Sequence, residues 1–440
     1  EQAVAFVEQA LTVTDDPSDR ATSALVDALL ATGGVAEALT ILEPMAAELE
    51  ARVVAEPSAV PGPETIALMG RIARAYSMAD QQPLALEWTD RLLPLAERLD
   101  LVEDIAYGWL GRMRGLAERS RESLVLVRAA LDLALTHDLL TTEARARTIL
   151  TFMEVSVDPR AGLAEARDGL ERARRLGSRL YALSMVGNGV DCAFRVGEWD
   201  WAIGTLREWL EADLSTSGRI ELGSDLIRFL ACRGEDVTML AEEIDPLVAA
   251  ISDLQYTAYR WLAEGWRQLA AGELAAARDA VRRAMDASAI FPTVGGALEA
   301  RAGLWRGDVM EARAGLARIE DHGMRGPAVD ADRATIRAGI AALEGDVGEA
   351  SALYREALER WRDLGLAWEE ALGAIDMAQL LGPDGAGVRE AADAARVVLG
   401  RLGAAPFLAR LEAAMLDERA GRGATGPGRT REPVPTEARA

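Results

Sequence analysis

His137 and His322 are the only histidines of this chain, Cys192 and Cys232 the only cysteines, and every one of its 48 basic residues is arginine. That inventory removes most chemistry at once. A Walker-A phosphate loop, a Schiff-base enzyme and a kinase each need a lysine, and none is present. Two histidines placed 185 residues apart do not make a zinc site or a catalytic constellation. No Gly-x-Ser-x-Gly elbow presents a nucleophile. We therefore expect no catalytic residue, no cofactor and no metal: the chain reads as a non-enzyme. What remains is recognition chemistry, carried by tryptophan and arginine. Both offer large planar surfaces, and arginine adds a charged fork of donors.

The elements that must position such residues are clearest in Ala258 to Phe291, two helical runs joined at Ala271-Gly272-Glu273. Trp261, Leu262, Gly265, Leu269 and Ala270 recur at three- and four-residue steps, and Leu274, Ala277, Val281 and Ala284 do the same in the second run. Gly272 sits where the first helix must end, and a residue without Cβ can take the left-handed conformation such an ending favours. Gly265 and Ala277 are small and face each other, so the two backbones can approach. The turn recurs: Gly197, Gly234, Gly272, Gly307, Gly345 and Gly382 are 37, 38, 35, 38 and 37 residues apart. An alanine follows five residues after four of them, at Ala202, Ala277, Ala312 and Ala350; Met239 and Gly387 stand at the other two places.

Trp261, Gly265, Ala277 and Ala284 resemble the aromatic and small positions of a tetratricopeptide (TPR) repeat. Its usual proline would fall at Ala289, and Pro292 comes three residues late. The resemblance implies an all-α, right-handed α-solenoid of about ten antiparallel helix pairs, in which each repeat packs on its neighbours. No stretch shows the two-residue alternation of a sheet.

Along the chain, Glu1 to Leu11 reads as an amphipathic helix, and Ala21–Leu30 with Ala36–Leu49 as the first full pair. A Pro-rich insertion (residues 52–64) cannot be helical. The second pair turns at Asp80-Gln81-Gln82-Pro83. From Asp80 to Gly197 is 117 residues, three steps of 39, so hidden turns are expected near 119 and 158. Val388–Leu402 and Ala405–Leu416 close the array, giving one repeat domain over residues 1–416. Residues 417–440 are Gly, Pro, Arg, Thr and Glu with almost no apolar content and are expected to be disordered.

Charge bounds the partners. With 48 basic against 71 acidic residues the net charge is −23, which argues against a nucleic-acid surface. Solvated outer helix faces account for such a charge, and a basic partner is the other reading. No apolar run approaches the roughly twenty residues of a membrane span, and no signal peptide precedes Glu1. Two cysteines do not make a disulfide framework, so buried thiols in a reducing cytoplasm are expected. The chain lacks a starting methionine and reads as a segment cut from something longer.

Three stretches carry a second resemblance. Ala357 to Ala371 (ALERWRDLGLAWEEA) looks like the closing repeat of large bacterial signalling ATPases, Leu399 to Phe407 (LGRLGAAPF) like their last helix pair, and Glu1 to Leu11 like the helix that opens their repeat region. One group carries a class III adenylate/guanylate cyclase, an AAA-type or STAND-type ATPase, and then the repeats. The other carries the ATPase, the repeats and a C-terminal LuxR-type helix-turn-helix. The polar tail, where the second group has its DNA reader, inclines the resemblance toward the first. It implies a regulatory, protein-docking solenoid acting on partners or on its own ATPase or cyclase domains. The alternative is an effector sensor of a LuxR-type transcriptional regulator, with a small ligand in its concave groove.

In such an array the first helices line the concave face. With Ala258 at the first repeat position, Tyr259, Leu262, Trp266 and Leu269 fall there, and neighbouring repeats add Asp191, Arg195, Arg228, Arg301 and Trp305. Two tryptophans among arginines suit an extended peptide or a planar ligand. The bland alternative is that the indoles only fill gaps between adjacent first helices. We expect Trp266 to be such a spacer and Trp305 to stand exposed as a contact.

Overall fold

The computed structural model describes residues 19–32, 34–55, 61–79, 81–114, 120–251, 253–288 and 292–416. The helix at Glu1–Leu11, the turns at Gly33 and 119, and the tail 417–440 lie outside them. Among the described residues there are twenty-one helices and no strand. The first eight are α1 (Asp19–Thr32), α2 (Val35–Ala55), α3 (Pro63–Met78), α4 (Gln82–Arg98), α5 (Val102–Arg114), α6 (Ser120–Thr136), α7 (Leu140–Val157) and α8 (Pro159–Leu176). Then come α9 (Arg179–Val196), α10 (Trp199–Leu210), α11 (Thr216–Arg233), α12 (Thr238–Ala250), α13 (Leu254–Ala271), α14 (Leu274–Ala287) and α15 (Pro292–Arg306). The last are α16 (Val309–Asp321), α17 (Pro327–Leu343), α18 (Val347–Leu364), α19 (Ala367–Leu381), α20 (Val388–Leu402) and α21 (Ala405–Leu416). The chain is an all-α helical solenoid. None of these helices is long and apolar enough to cross a membrane.

The recurring glycines end helices as their spacing predicts. All six have positive φ, from +73° to +89°. At Gly272 (φ +82°) the Glu273 N–H reaches back to the Gln268 carbonyl at 2.9 Å, which satisfies a carbonyl the helix leaves open. The hidden break at 158 separates α7 from α8. Upstream the turns between pairs also take the left-handed conformation: Asp100 (φ +54°) and Asp138 (φ +53°), where Asp tolerates it better than most residues, and Gly177 (φ +64°). They follow α4, α6 and α8 and stand 38 and 39 residues apart, so the period recurs between pairs as well. The insertion is shorter than its composition suggests. α2 runs through Ala55, with neither Pro nor Gly in residues 52–55 to stop it, and α3 begins at Pro63, whose missing N–H costs nothing in a first turn.

The chain forms two compact units, Glu1–Met153 with Ala164–Met185 and Gly323–Arg325, and Glu154–Leu163 with Val186–His322 and Gly326–Ala440. In the first, alternate helices α1, α3 and α5 pack side by side, with α2 and α4 behind them. Leu25, Leu29, Leu42, Ile66, Ile72, Trp88 and Leu92 fill the space between.

In the second unit each helix packs on its neighbours as a repeat array requires. Small residues allow close crossings: a Cβ on Gly315 of α16 would come within 2.5 Å of the Gly296 carbonyl oxygen and 2.6 Å of the Ala300 amide nitrogen on α15. The expectation that repeats touch only their neighbours does not hold here. α21 also packs on α11 and α13, and α15 on α19. Arg233 Nε donates to the Leu402 carbonyl at 2.9 Å, and Arg401 Nη1 to that of Gly197 at 3.1 Å. The physical cause is aromatic. Phe194 stacks on Trp199 at 5.4 Å and meets Trp266 at 4.9 Å and Trp368 at 5.6 Å, and Trp368 meets Phe407 at 4.9 Å. Each such ring removes roughly 150–250 Å² from water, more than one helix pair can cover.

Candidate functional site

The inner helices of the second unit are α9, α11, α13, α15, α17, α19 and α21, and all seven candidate groove residues lie on four of them. None stands in an open groove. Trp266 is 5% exposed, inside the aromatic cluster, and its indole N–H has no acceptor. Trp305 is 9% exposed, so it is not the surface contact the sequence led us to expect. Its N–H donates to Asp376 Oδ1 at 2.6 Å, and the Arg410 guanidinium covers its face at 4.3 Å. The winding that brings α19 and α21 alongside α15 closes what an open array would leave bare.

The arginines are held by carboxylates on inner helices distant in sequence. Arg195 donates to Glu369 at 2.8 Å, to Asp332 at 2.9 Å and to the Val155 carbonyl at 3.2 Å. Burial alone would pull this guanidinium down, but Asp332 and Glu369 outweigh it and hold it firmly charged. Burial pushes Asp332 up to about 6, with Glu369 adding to it and Arg195 opposing. Arg301 lies 3.3 Å from Asp376 Oδ2. Asp376 is raised by burial in spite of Arg301 and the Trp305 N–H. This network pins α9, α15, α17 and α19 together. Both arginines are already engaged by its three carboxylates, so neither is free for a ligand.

Asp191, Arg228 and Tyr259 form a different arrangement in the same unit. Arg228 lies 2.6 Å from Asp191 Oδ1 and 2.9 Å from Asp225 Oδ1, with its guanidinium 4.6 Å from the centre of the Phe194 ring. Asp225 is 4% exposed, and its Oδ2 has no hydrogen-bond partner. Glu221, half-buried, packs its carboxylate directly over Gly187, where a Cβ would collide with it. Burial and then Asp191 push Glu221 up to about 8, and no cation opposes the rise. Tyr259 lies within the field of all three acids, its phenol raised by burial first, and its ring centre is 6.3 Å from that of Tyr256. Three carboxylates thus share one arginine beside two tyrosines. Such a cluster can take one further positive charge, with aromatic faces to shelter it.

The structure adds Glu221, Asp225, Asp332, Glu369 and Asp376 to the residues read from the sequence, and the period itself held the signal. Asp191, Arg228, Trp266 and Arg301 each stand six residues before a turn glycine, and Asp376 stands six before Gly382. Thirteen before come Glu221, Tyr259, Asp332 and Glu369. The two registers are seven residues apart, two helical turns, and so share a face. Cys192 and Cys232 are free and buried, each thiol pushed up by that burial. Among the described residues no group of His, Cys, Asp and Glu is placed to hold a metal ion.

No protein-family model matches the chain, and no curated protein matches it. Among solved structures it is similar to the human IFIT1 dimer with m7Gppp-AAAA, with 12% identity and a TM-score of 0.32 over 94% of this chain and 93% of that one. It is similar also to the human IFIT1 dimer with PPP-AAAA, with 12% identity and a TM-score of 0.32 over 94% of each chain.

Proposed function

We propose that this chain is a non-catalytic regulatory module that docks another protein surface through a basic side chain. We place it in a bacterial multidomain signalling protein of the cyclase–ATPase kind, where that surface belongs to a partner or to the protein's own ATPase or cyclase domain. One observation carries the docking reading: Glu221, Asp191 and Asp225 come together in the second unit, and among the described residues Arg228 is the one cation paired with them. The resemblance of Ala357–Ala371 and Leu399–Phe407 to the closing repeats of such proteins supports the setting.

The test uses calorimetry with the whole chain and a short Gly-Arg-Gly-Arg-Gly peptide. A guanidinium docking at Glu221 expels the proton that this carboxyl holds near neutral pH. Binding at pH 7 therefore releases about one proton, seen as a heat that changes with the buffer's ionisation enthalpy, and less at pH 9. Glu221→Gln weakens binding and removes the release. Binding that is equally strong in Glu221→Gln, with no proton released, would sink the reading.

The burial of Asp225, 4% exposed and so out of reach of a flat protein surface, favours one second reading, a sensor for a small cationic effector. Arginine amide binding as tightly as the peptide would select that reading over protein docking.

A further inference from the structure

On the inner helices of the second unit, Arg195, Arg228 and Arg301 each sit on a carboxylate. In the first unit two arginines of the inner face do not. Arg74 lies on α3, where among the described residues it forms no hydrogen bond or ion pair. Arg145 lies on α7, close enough to Arg74 for each charge to act on the other, and has no carboxylate partner. Its guanidinium rests on the Tyr107 ring of α5, 4.2 Å from the centroid, and its Nη1 is shut off from solvent with nothing to donate to.

The surrounding acids do not neutralise the pair. Asp27 on α1 is already engaged by Arg71, whose Nε and Nη2 both reach its Oδ2, at 3.1 and 3.0 Å. Glu103 accepts from Thr142 Oγ1 at 3.3 Å. Asp104, half-buried on α5, has its carboxyl raised by burial and by Glu103, with Arg71 opposing, so it too is weakened as a counter-ion. Burial pulls Arg145 down and Arg74 adds to that, against Tyr107 and Asp27. Among the described residues, then, Arg74 and Arg145 act on each other's charge while neither is paired with a carboxylate.

We propose that Arg74 and Arg145, backed by Tyr107, form a binding site for a phosphate group. Two unpaired guanidinium forks supply two positive charges and a fan of N–H donors. That matches a tetrahedral dianion with several acceptor oxygens better than a carboxylate with one charge. The Tyr107 face is occupied by Arg145, so the site reads the phosphate and not an aromatic group attached to it. It lies wholly in the first unit and does not depend on the docking reading above.

The experiment measures the melting temperature of the whole chain and the ³¹P linewidth of inorganic phosphate, each against sodium chloride of matched ionic strength, with phenyl phosphate and acetate as further probes. Inorganic phosphate and phenyl phosphate should raise the melting temperature and acetate should not. Arg74→Met and Arg145→Met should each weaken phosphate binding about tenfold or more. In chloride alone Arg145→Met should melt no lower than the parent chain, because it removes a buried charge that has no carboxylate partner among the described residues. Phosphate broadening and stabilisation that survive both substitutions, or acetate acting as strongly as phosphate, would overturn the site. The ³¹P measurement on the unaltered chain decides the matter even if one variant fails to fold, since no broadening beyond chloride controls also overturns it.

Discussion

Trp305 on α15 donates its indole N–H to Asp376 Oδ1 on α19 over 2.6 Å, joining two positions 71 residues apart. In a strictly nearest-neighbour array such a bond would not form. It also fixes what Trp305 is: a closing contact of the second unit, with Arg301 held on the same carboxylate.

Breaking that contact should therefore loosen more than one repeat. Asp376→Ala leaves Arg301 charged, buried and unpaired, which costs about 3–5 kcal/mol. Trp305→Ala costs a similar roughly 3–5 kcal/mol through the cavity it opens. Hydrogen exchange should rise in both α15 and α19 in either variant. Exchange confined to the mutated helix would show that the long-range contact carries no stability.

Trp266 should behave as a core residue. It touches Phe194 at 4.9 Å and Trp368 at 6.1 Å, so Trp266→Ala costs about 3–5 kcal/mol by denaturant titration. A variant that keeps the parent's urea midpoint would contradict the packing.

Two glycines should respond with opposite sign. A Cβ on Gly315 meets backbone at 2.5 and 2.6 Å, so Gly315→Ala forces α15 and α16 apart and costs about 1–3 kcal/mol. Gly204 is exposed within α10 with nothing near its Cβ position, and Gly204→Ala should stabilise by about 0.5–1 kcal/mol through helix propensity. Urea midpoints of the two variants should move in opposite directions.

The pH dependence of stability should bend twice. Glu264 is pushed up by burial, but hydrogen bonds from Arg267, Gln268 and Arg260 outweigh this and bring it to about 2. Its contribution is fully present above about pH 4.5 and is lost as the pH falls through about 2. Asp332, at about 6, and Glu221, at about 8, work in the other sense: the folded chain keeps protons that the unfolded chain releases. Stability should thus decline as pH rises from about 4 to about 8, and Glu221→Gln should flatten the upper part of that decline. Unfolding midpoints taken from pH 2 to pH 9 would show it; a profile unchanged by Glu221→Gln would contradict the placement of that carboxyl.

The repeat was legible because its signals are local. A glycine ending a helix, an apolar stripe and a small residue at a crossing each follow from bonds within a few residues, so Gly197 through Gly382 marked their turns without any knowledge of what packs on what. The same period predicted a break at 158 but not which residues turn at Asp100 and Asp138, because aspartate in the left-handed conformation leaves no mark distinct from aspartate on a solvated face. The register put Asp191, Arg228, Tyr259, Trp266 and Arg301 on first helices of their pairs, and they lie on α9, α11, α13 and α15.

Whether that face is open or closed depends on how far each pair rotates against the next, and a small rotation repeated over the five pairs from α11 to α20 decides whether α21 meets α11. No local sequence signal encodes a sum of that kind. The tertiary structure alone made Trp305 a partner of Asp376 instead of a ligand contact, matched Arg195 to Asp332 and Glu369, and left Glu221 in one unit and Arg74 with Arg145 in the other without a counter-ion among the described residues. The sequence by itself determined the helices, their turns and the faces they present. The winding determined which charges on those faces are balanced, because balance depends on side chains that only the closed superhelix brings within a few ångströms of one another.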